Sequence, residues 1–248
     1  MKSIEFTRFV ITIPFYNAEK YIEECLNSVI SQNYKNFRAI VVDDCSTDDS
    51  WNIAKNTIRG EEKFFVMIKN KTRVGSPLSN IIKATNLPFV QPEDVIVNLD
   101  GDDALSDSDV LFDLLCVYNN SEIWATFGQS VPFSRTFFYA SMPFRNTTLY
   151  RESGVWNYSH LRTYKKWLFD KIKDEDLRDK DGEYYKRAGD CALIYPIVEM
   201  CGKEHAHCLK RISHFYNDLN EINEGKVNLI EQERSKNRIR SIVPYEPI

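Results

Sequence analysis

Asp100, Asp102 and Asp103 follow directly on the apolar run Val95-Ile96-Val97-Asn98-Leu99, and Asp43-Asp44 close a second such run, Phe37 to Val42. Three carboxylates crowded into four positions cannot all stay ionised cheaply without a cation among them. Carboxylate oxygens suit Mg²⁺ or Mn²⁺, ions that keep several waters and take further ligands from phosphates. A polar loop with an Asp-capped helix start would explain a lone Asp-x-Asp as well. An EF-hand loop does not, because its sixth-position glycine would fall on Leu105. A haloacid-type phosphatase places its Asp-x-Asp after the first core strand, whereas this one follows the fourth. The tail adds Cys201, His205, His207 and Cys208, whose spacing matches no common zinc pattern.

These acids need elements that hold them in one place. Val95 to Leu99, with four apolar side chains in five, reads as an interior strand covered on both faces, and the acids then lie at its carboxyl end, where open α/β sheets bind ligands. Three strands precede it, Phe9 to Ile13, Phe37 to Val42 and about Phe64 to Ile68. Helical patterns fall between them. One follows Asn17 as N-cap, with Ile22, Cys25, Leu26, Val29 and Ile30 inward; one is capped by Ser46 or Thr47, with Asp48 and Asp49 in its first turn; one opens at Ser76-Pro77. A fourth starts near Asp107. This alternation predicts an α/β fold with a mostly parallel, Rossmann-like sheet flanked by helices.

The second half reads less regularly. Val131 to Arg151 predicts a long irregular segment over the site, and His160 to Phe169 a helix with Leu161, Tyr164, Leu168 and Phe169 inward. Asp190 precedes the apolar helical run Cys191 to Pro196 and reads as its N-cap. Cys208 to Tyr216 alternates as a strand ending near His214, and Asn228 to Arg240 is a polar, basic helix expected at the periphery.

Composition bounds the rest. The chain has 248 residues, 43% hydrophobic and 27% charged, with a formal net charge of -4. That suits one globular α/β domain and gives no electrostatic reason to expect nucleic acid or an anionic membrane as partner. The run before Pro14 is short and carries Glu5 and Arg8, so neither a signal peptide nor a transmembrane anchor is expected. Six scattered cysteines predict reduced thiols and a cytoplasmic protein.

Three segments taken together resemble the family 2 glycosyltransferases of GT-A fold: Val10-Ile11-Thr12-Ile13-Pro14-Phe15-Tyr16-Asn17, Val41-Val42-Asp43-Asp44-Cys45-Ser46-Thr47-Asp48, and Asn98-Leu99-Asp100-Gly101-Asp102-Asp103. The resemblance covers the first half strongly and implies a single domain over 1–248. Residues 1–130 would bind a UDP-sugar donor, and 131–248 would form an acceptor-side extension. It implies that Pro14, Tyr16 and Asp44 hold the uridine, with Arg73 as a further donor contact. Asp100 would lie at the ribose with Gly101 among the donor-binding residues, and Asp102 would bind the Mn²⁺ or Mg²⁺ that bridges the diphosphate. His214 corresponds to a C-terminal His that joins the metal in some GT-A enzymes. Asp190 stands where the family keeps its general base, with Gly189 in place of the usual preceding Glu; Glu199 and His160 are the next candidates.

The chemistry so implied is an inverting, metal-dependent transfer of a sugar from a UDP-sugar to a hydroxyl of a glycan or other acceptor, as in polysaccharide biosynthesis. No Ser-His-Asp or Cys-His arrangement is evident, which agrees with a direct displacement that needs no protein nucleophile. The alternative is a non-catalytic sugar-nucleotide or carbohydrate-binding module of the same fold.

Overall fold

A computed structural model of the chain describes residues 7–134, 139–140, 151, 156–221 and 229–248. Four strands build the N-terminal half: β1 (Phe9–Phe15), β2 (Phe37–Asp43), β3 (Phe65–Lys69) and β4 (Val95–Asn98). All pair in parallel, in the spatial order β3-β2-β1-β4. The crossovers are α1 (Ile22–Ile30), α2 (Ser50–Thr57) and α3 (Pro77–Thr85). Alternate side chains of each central strand enter opposite cores. Val10, Ile40 and Ile96 face the side of α3, while Ile11, Val41 and Val97 face α1 and α2. A strand buried on both faces must be apolar throughout, which is why these runs lack a polar alternation.

Beyond β4 the sheet becomes mixed. A short β5 (Ala104–Leu105), α4 (Val110–Tyr118) and β6 (Ala125–Pro132) are followed by β7 (Tyr139–Ala140) on the edge of β6. Next come β8 (Arg162–Lys165) and the one-turn helix α5 (Lys166–Phe169), then α6 (Gly189–His205), β9 (Ala206–Tyr216) and α7 (Leu229–Arg240). β8 lies antiparallel to both β4 and β6, and β9 runs parallel to β6. No helix among the described residues is long and apolar enough to cross a membrane.

Several expectations change here. The helix expected over His160–Phe169 splits in two: Arg162–Lys165 is strand β8, and only Lys166–Phe169 forms a helical turn. Leu161 to Tyr164 are all buried because they fill the centre of the sheet between β4 and β6, and the β-favouring pair Thr163-Tyr164 fits that place. The expected irregular segment 131–151 begins with the end of β6 and includes β7; residues 135–138 and 141–150 lie outside those described. Asn17 does not cap α1. It sits at φ 48, and its Oδ1 accepts from the Thr47 N–H at 2.9 Å while its own N–H donates to Ser46 Oγ. The expected caps Ser46 and Thr47 are thus spent zipping the loop after β2 to the loop after β1, and α2 starts only at Ser50. Asp190 lies inside the first turn of α6, after Ala188 in the cap position. Ser76 caps α3 as expected, with Pro77 at its first position.

Candidate active site

The carboxyl ends of the parallel strands are tied to one another before any side chain acts. Asp44 N–H donates to Phe15 O at 2.9 Å, Leu99 N–H to Thr12 O at 3.1 Å and Gly101 N–H to Pro14 O at 3.0 Å. At Gly101 the turn passes so close to β1 that an added Cβ would meet Phe15 Cβ at 2.5 Å. Glycine is therefore required there by packing. This mesh places Pro14, Tyr16, Asp44, Asp100, Gly101 and Asp102 along one wall of a cavity of about 1560 Å³, with Arg73 on the same wall and Asp190 across it. His214 is fully buried behind the wall.

Asp44 is spent on shaping the neighbouring loop. Its Oδ1 accepts from Asn70 Nδ2 at 2.8 Å and from the Val74 N–H at 3.0 Å, and its Oδ2 from the Gly75 N–H at 2.7 Å. A carboxylate has about four acceptor positions, so roughly one remains for a ligand. The loop so held carries Arg73, whose guanidinium lies 3.7 Å from the centre of the Tyr16 ring.

The acid cluster carries more negative charge than its surroundings can solvate. Burial pushes the Asp102 carboxyl up to about 7, with the Asp103 charge adding to the rise and Asn220 opposing it. Asp100 is raised well above the carboxylate range by burial, then by Asp103 and Asp102, with Arg162 opposing. Burial raises Asp103 as well. The two nearby imidazoles move the other way. Burial, helped by the Arg162 charge, lowers His160 well below its ordinary value and His214 to about 3.

A divalent cation would relieve this arrangement, and the residues present fit one. Asp103 Oδ2 is buried and receives no hydrogen bond, although His214 Nε2 lies 3.0 Å away and His160 Nδ1 3.7 Å away. One ligand atom from each of Asp103, His160 and His214 lies within 4.8 Å of the others. His214 Nδ1 faces Ser130 Oγ at 3.0 Å. The tautomer that donates there leaves the Nε2 lone pair for a cation, as a metal-bound imidazole requires. Two nitrogens beside carboxylates favour a transition ion such as Mn²⁺ over Mg²⁺. Asp102, the expected ligand, stands outside this group of three, with its Oδ2 accepting from Asn220 Nδ2 at 2.7 Å.

Across the cavity, α6 begins beside α3. A Cβ on Gly189 would meet Leu78 Cβ at 2.7 Å, so no larger residue fits at that position. Asp190 is half-exposed, and its Oδ2 lies 3.4 Å from Arg162 Nη2. Arg162 is buried on β8, donates from Nε to Tyr158 O at 2.8 Å and reaches the cavity wall. It is the cation nearest both the acids and Asp190, and sequence reasoning missed it by treating its strand as a helix face.

The remaining candidates sort plainly. His160 lies in the cavity wall with its Nδ1 3.2 Å from His214 Nε2, rather than at a helix start. Glu199 is excluded as a base, since it is buried in an ion pair with Arg151 at 2.5 Å, away from the cavity. Cys201, His205, His207 and Cys208 do not gather; among the described residues the metal-competent group is the one at Asp103. All six cysteines are free thiols.

The sequence matches the family model Glycosyl transferase family 2 over residues 10–176. It is 46% identical over 48 residues to the glycosyltransferase GlyA of Streptococcus pneumoniae, covering 19% of this chain and 7% of that protein. It is 46% identical over 50 residues to the poly(ribitol-phosphate) beta-N-acetylglucosaminyltransferase TarS of Staphylococcus aureus, covering 19% and 9%. Crystalline S. aureus TarS superposes with a TM-score of 0.66 at 21% identity, over 85% of this chain and 37% of that one; a shorter TarS has been solved with UDP and with UDP-GlcNAc. The mannosyltransferase PcManGT of Pyrobaculum calidifontis, solved with GDP-Man and Mn²⁺, superposes at 0.62 with 16% identity, over 89% and 60%. At these identities the structures share the fold, and this chain spans about a third of full-length TarS.

Proposed function

Because the chain belongs to glycosyl transferase family 2 and is a transferase, we propose that its cleft moves a sugar from a UDP-sugar to a hydroxyl of a glycan-type acceptor, inverting the anomeric centre. The observation that carries this reading is the meeting of two sets of acids in one cavity: Asp44, Asp100 and Asp102 from strand ends, and Asp190 from a helix start in the other half of the chain. Residues 1–130 bind the donor and 131–248 the acceptor. UDP is the first nucleotide to test because TarS, which shares the fold, has been solved with UDP and UDP-GlcNAc. The free thiols suit a reducing cytoplasm.

The reaction breaks the bond between sugar C1 and the diphosphate oxygen, which keeps the electron pair. The acceptor oxygen attacks C1 from the opposite face, and its proton passes to the Asp190 carboxylate. Arg162 holds that carboxylate in place and sets a fixed positive charge between it and the acid cluster. Tyr16 and Arg73 present a flat surface and a cation for the nucleotide, on a loop that Asp44 fixes. Asp103, His160 and His214, with Asp102 at the rim, would hold a divalent cation; when bound, it would offset the charge that develops on the leaving diphosphate.

Calorimetric titration of UDP with and without Mn²⁺ tests this reading. Mn²⁺ should tighten UDP by about tenfold or more, and Asp103→Asn or His214→Gln should abolish that gain. UDP binding that ignores both Mn²⁺ and the substitutions removes the metal from the reading, and no UDP binding at all removes the donor.

A further inference from the structure

The two walls of the cleft differ in charge. Among its lining side chains, the N-terminal half contributes five acids and two cations, whereas the part after residue 130 contributes Arg162, Lys186, Arg187 and Lys236 against Asp190 and Glu221. Arg162 is already committed to Asp190. Lys186 and Lys236 have no ion-pair partner among the described residues. The chain comes close to Asp190 with both. Lys186 precedes it by four residues on the turn that Ala188 closes at φ 55, and Lys236 lines the same cavity as Asp190.

Lys236 is held there by an arrangement with little other purpose. Helix α7 buries a single side chain, Ile239. Gln232, Lys236 and Ile239, spaced four and three apart, share the face that docks, and the first two line the cavity. The helix end is pinned from inside by Arg151, whose Nη1 donates to Ile239 O at 2.8 Å and Ile242 O at 3.2 Å. Its Nε and Nη2 engage Glu199, which also accepts from the Tyr245 N–H. Burying such an ion pair is costly unless its nitrogens are hydrogen-bonded, as all three of these are. What it secures is a lysine and a glutamine on the acceptor wall.

A UDP-sugar does not need these lysines. In the donor assignment above, a cation held by Asp103, His160 and His214 would meet the charge of its diphosphate. The cavity also exceeds the roughly 300–1,000 Å³ that one small ligand fills. Resting on the donor assignment above, the geometry points to an acceptor that carries a phosphate beside its attacking hydroxyl, bound by Lys186 and Lys236 next to Asp190. A phosphorylated polyol or sugar, free or within a phosphodiester chain, has that chemistry.

The test uses the whole chain loaded with UDP and Mn²⁺ and titrated with three probes: glycerol, glycerol 3-phosphate and glycerophosphoglycerol. The phosphorylated probes should bind and glycerol should not. The double variant Lys186→Gln, Lys236→Gln should weaken the phosphorylated probes about tenfold, and the Lys186→Arg, Lys236→Arg pair should retain them. UDP titrated into the same proteins should change less than about twofold, the scale of a screened, distant charge. Equal binding of glycerol and its phosphates overturns the inference. So does an equal loss of UDP in the Gln variant, which would assign the lysines to the donor diphosphate. Binding to phosphatidylglycerol vesicles without binding to the soluble probes would mean a membrane surface, and would also overturn it. Failure of UDP itself to bind would instead overturn the donor reading, and this inference with it.

Discussion

The two walls of the cleft, proposed above for donor and acceptor, are built by different means. The donor wall consists of strand ends laced together by backbone hydrogen bonds, above cores that the same strands fill on both faces. The acceptor wall consists of single side chains carried in from distant elements: Arg162 from β8, Asp190 from the start of α6, Lys236 from a helix pinned by one ion pair. A surface of the first kind is as rigid as the sheet, and changing it changes the fold. A surface of the second kind can be altered residue by residue.

If the walls are separable, the largest effect should come from Asp190 and leave the donor wall untouched. Asp190→Asn keeps the shape of the side chain but cannot take a proton, so turnover should fall by about 10² to 10⁴ while UDP affinity stays level. Steady-state kinetics with single-turnover controls measure both. An Asn variant with full activity would show that the carboxylate serves only its contact with Arg162.

Next in size is the pin beneath α7. Arg151→Met strands a buried carboxylate at Glu199 and should cost about 3–5 kcal/mol in urea denaturation; Arg151→Met with Glu199→Leu should recover most of that. Donor binding by the folded fraction should survive. If UDP affinity collapses with the pin, the walls are coupled and the comparison fails.

The smallest effect probes the donor wall through pH. Without a cation, burial holds Asp102 at about 7, against about 4 for an unfolded carboxylate. The folded state thus binds this proton more tightly than the unfolded one, so its contribution to stability is lost as pH rises from about 4 to about 7. A divalent cation competes for the same charge, so Mn²⁺ affinity should fall by up to about tenfold per unit as pH drops below 7. In Asp102→Asn that slope should flatten, as calorimetry across pH would show; an unchanged slope would assign the titration to Asp103.

Strands β1, β2 and β4 were legible because a strand buried on both faces must be apolar for its whole length, a local property; β3, half-buried on the sheet edge, was legible from its β-favouring residues. The acids at their ends were legible for the same reason: the end of such a run locates the edge of the sheet. Asp44, Asp100 and Asp102 accordingly line one cavity; Asp190 joins them there as the family resemblance implied, its own pattern reading only as a helix cap. Tertiary structure decided the rest. Leu161, Tyr164 and Leu168 fall at helical spacing, yet the place of Arg162–Lys165 between β4 and β6 makes that segment a strand and turns Arg162 toward Asp190. Asn17, Ser46 and Thr47 have the residue types of helix caps, but the parallel pairing of β1 with β2 brings their loops together, and they bond to each other first. The partners of Asp103 lie 57 and 111 residues away along the chain, beyond the reach of any local pattern, so the grouping of His160 and His214 around it became visible only once the sheet was assembled.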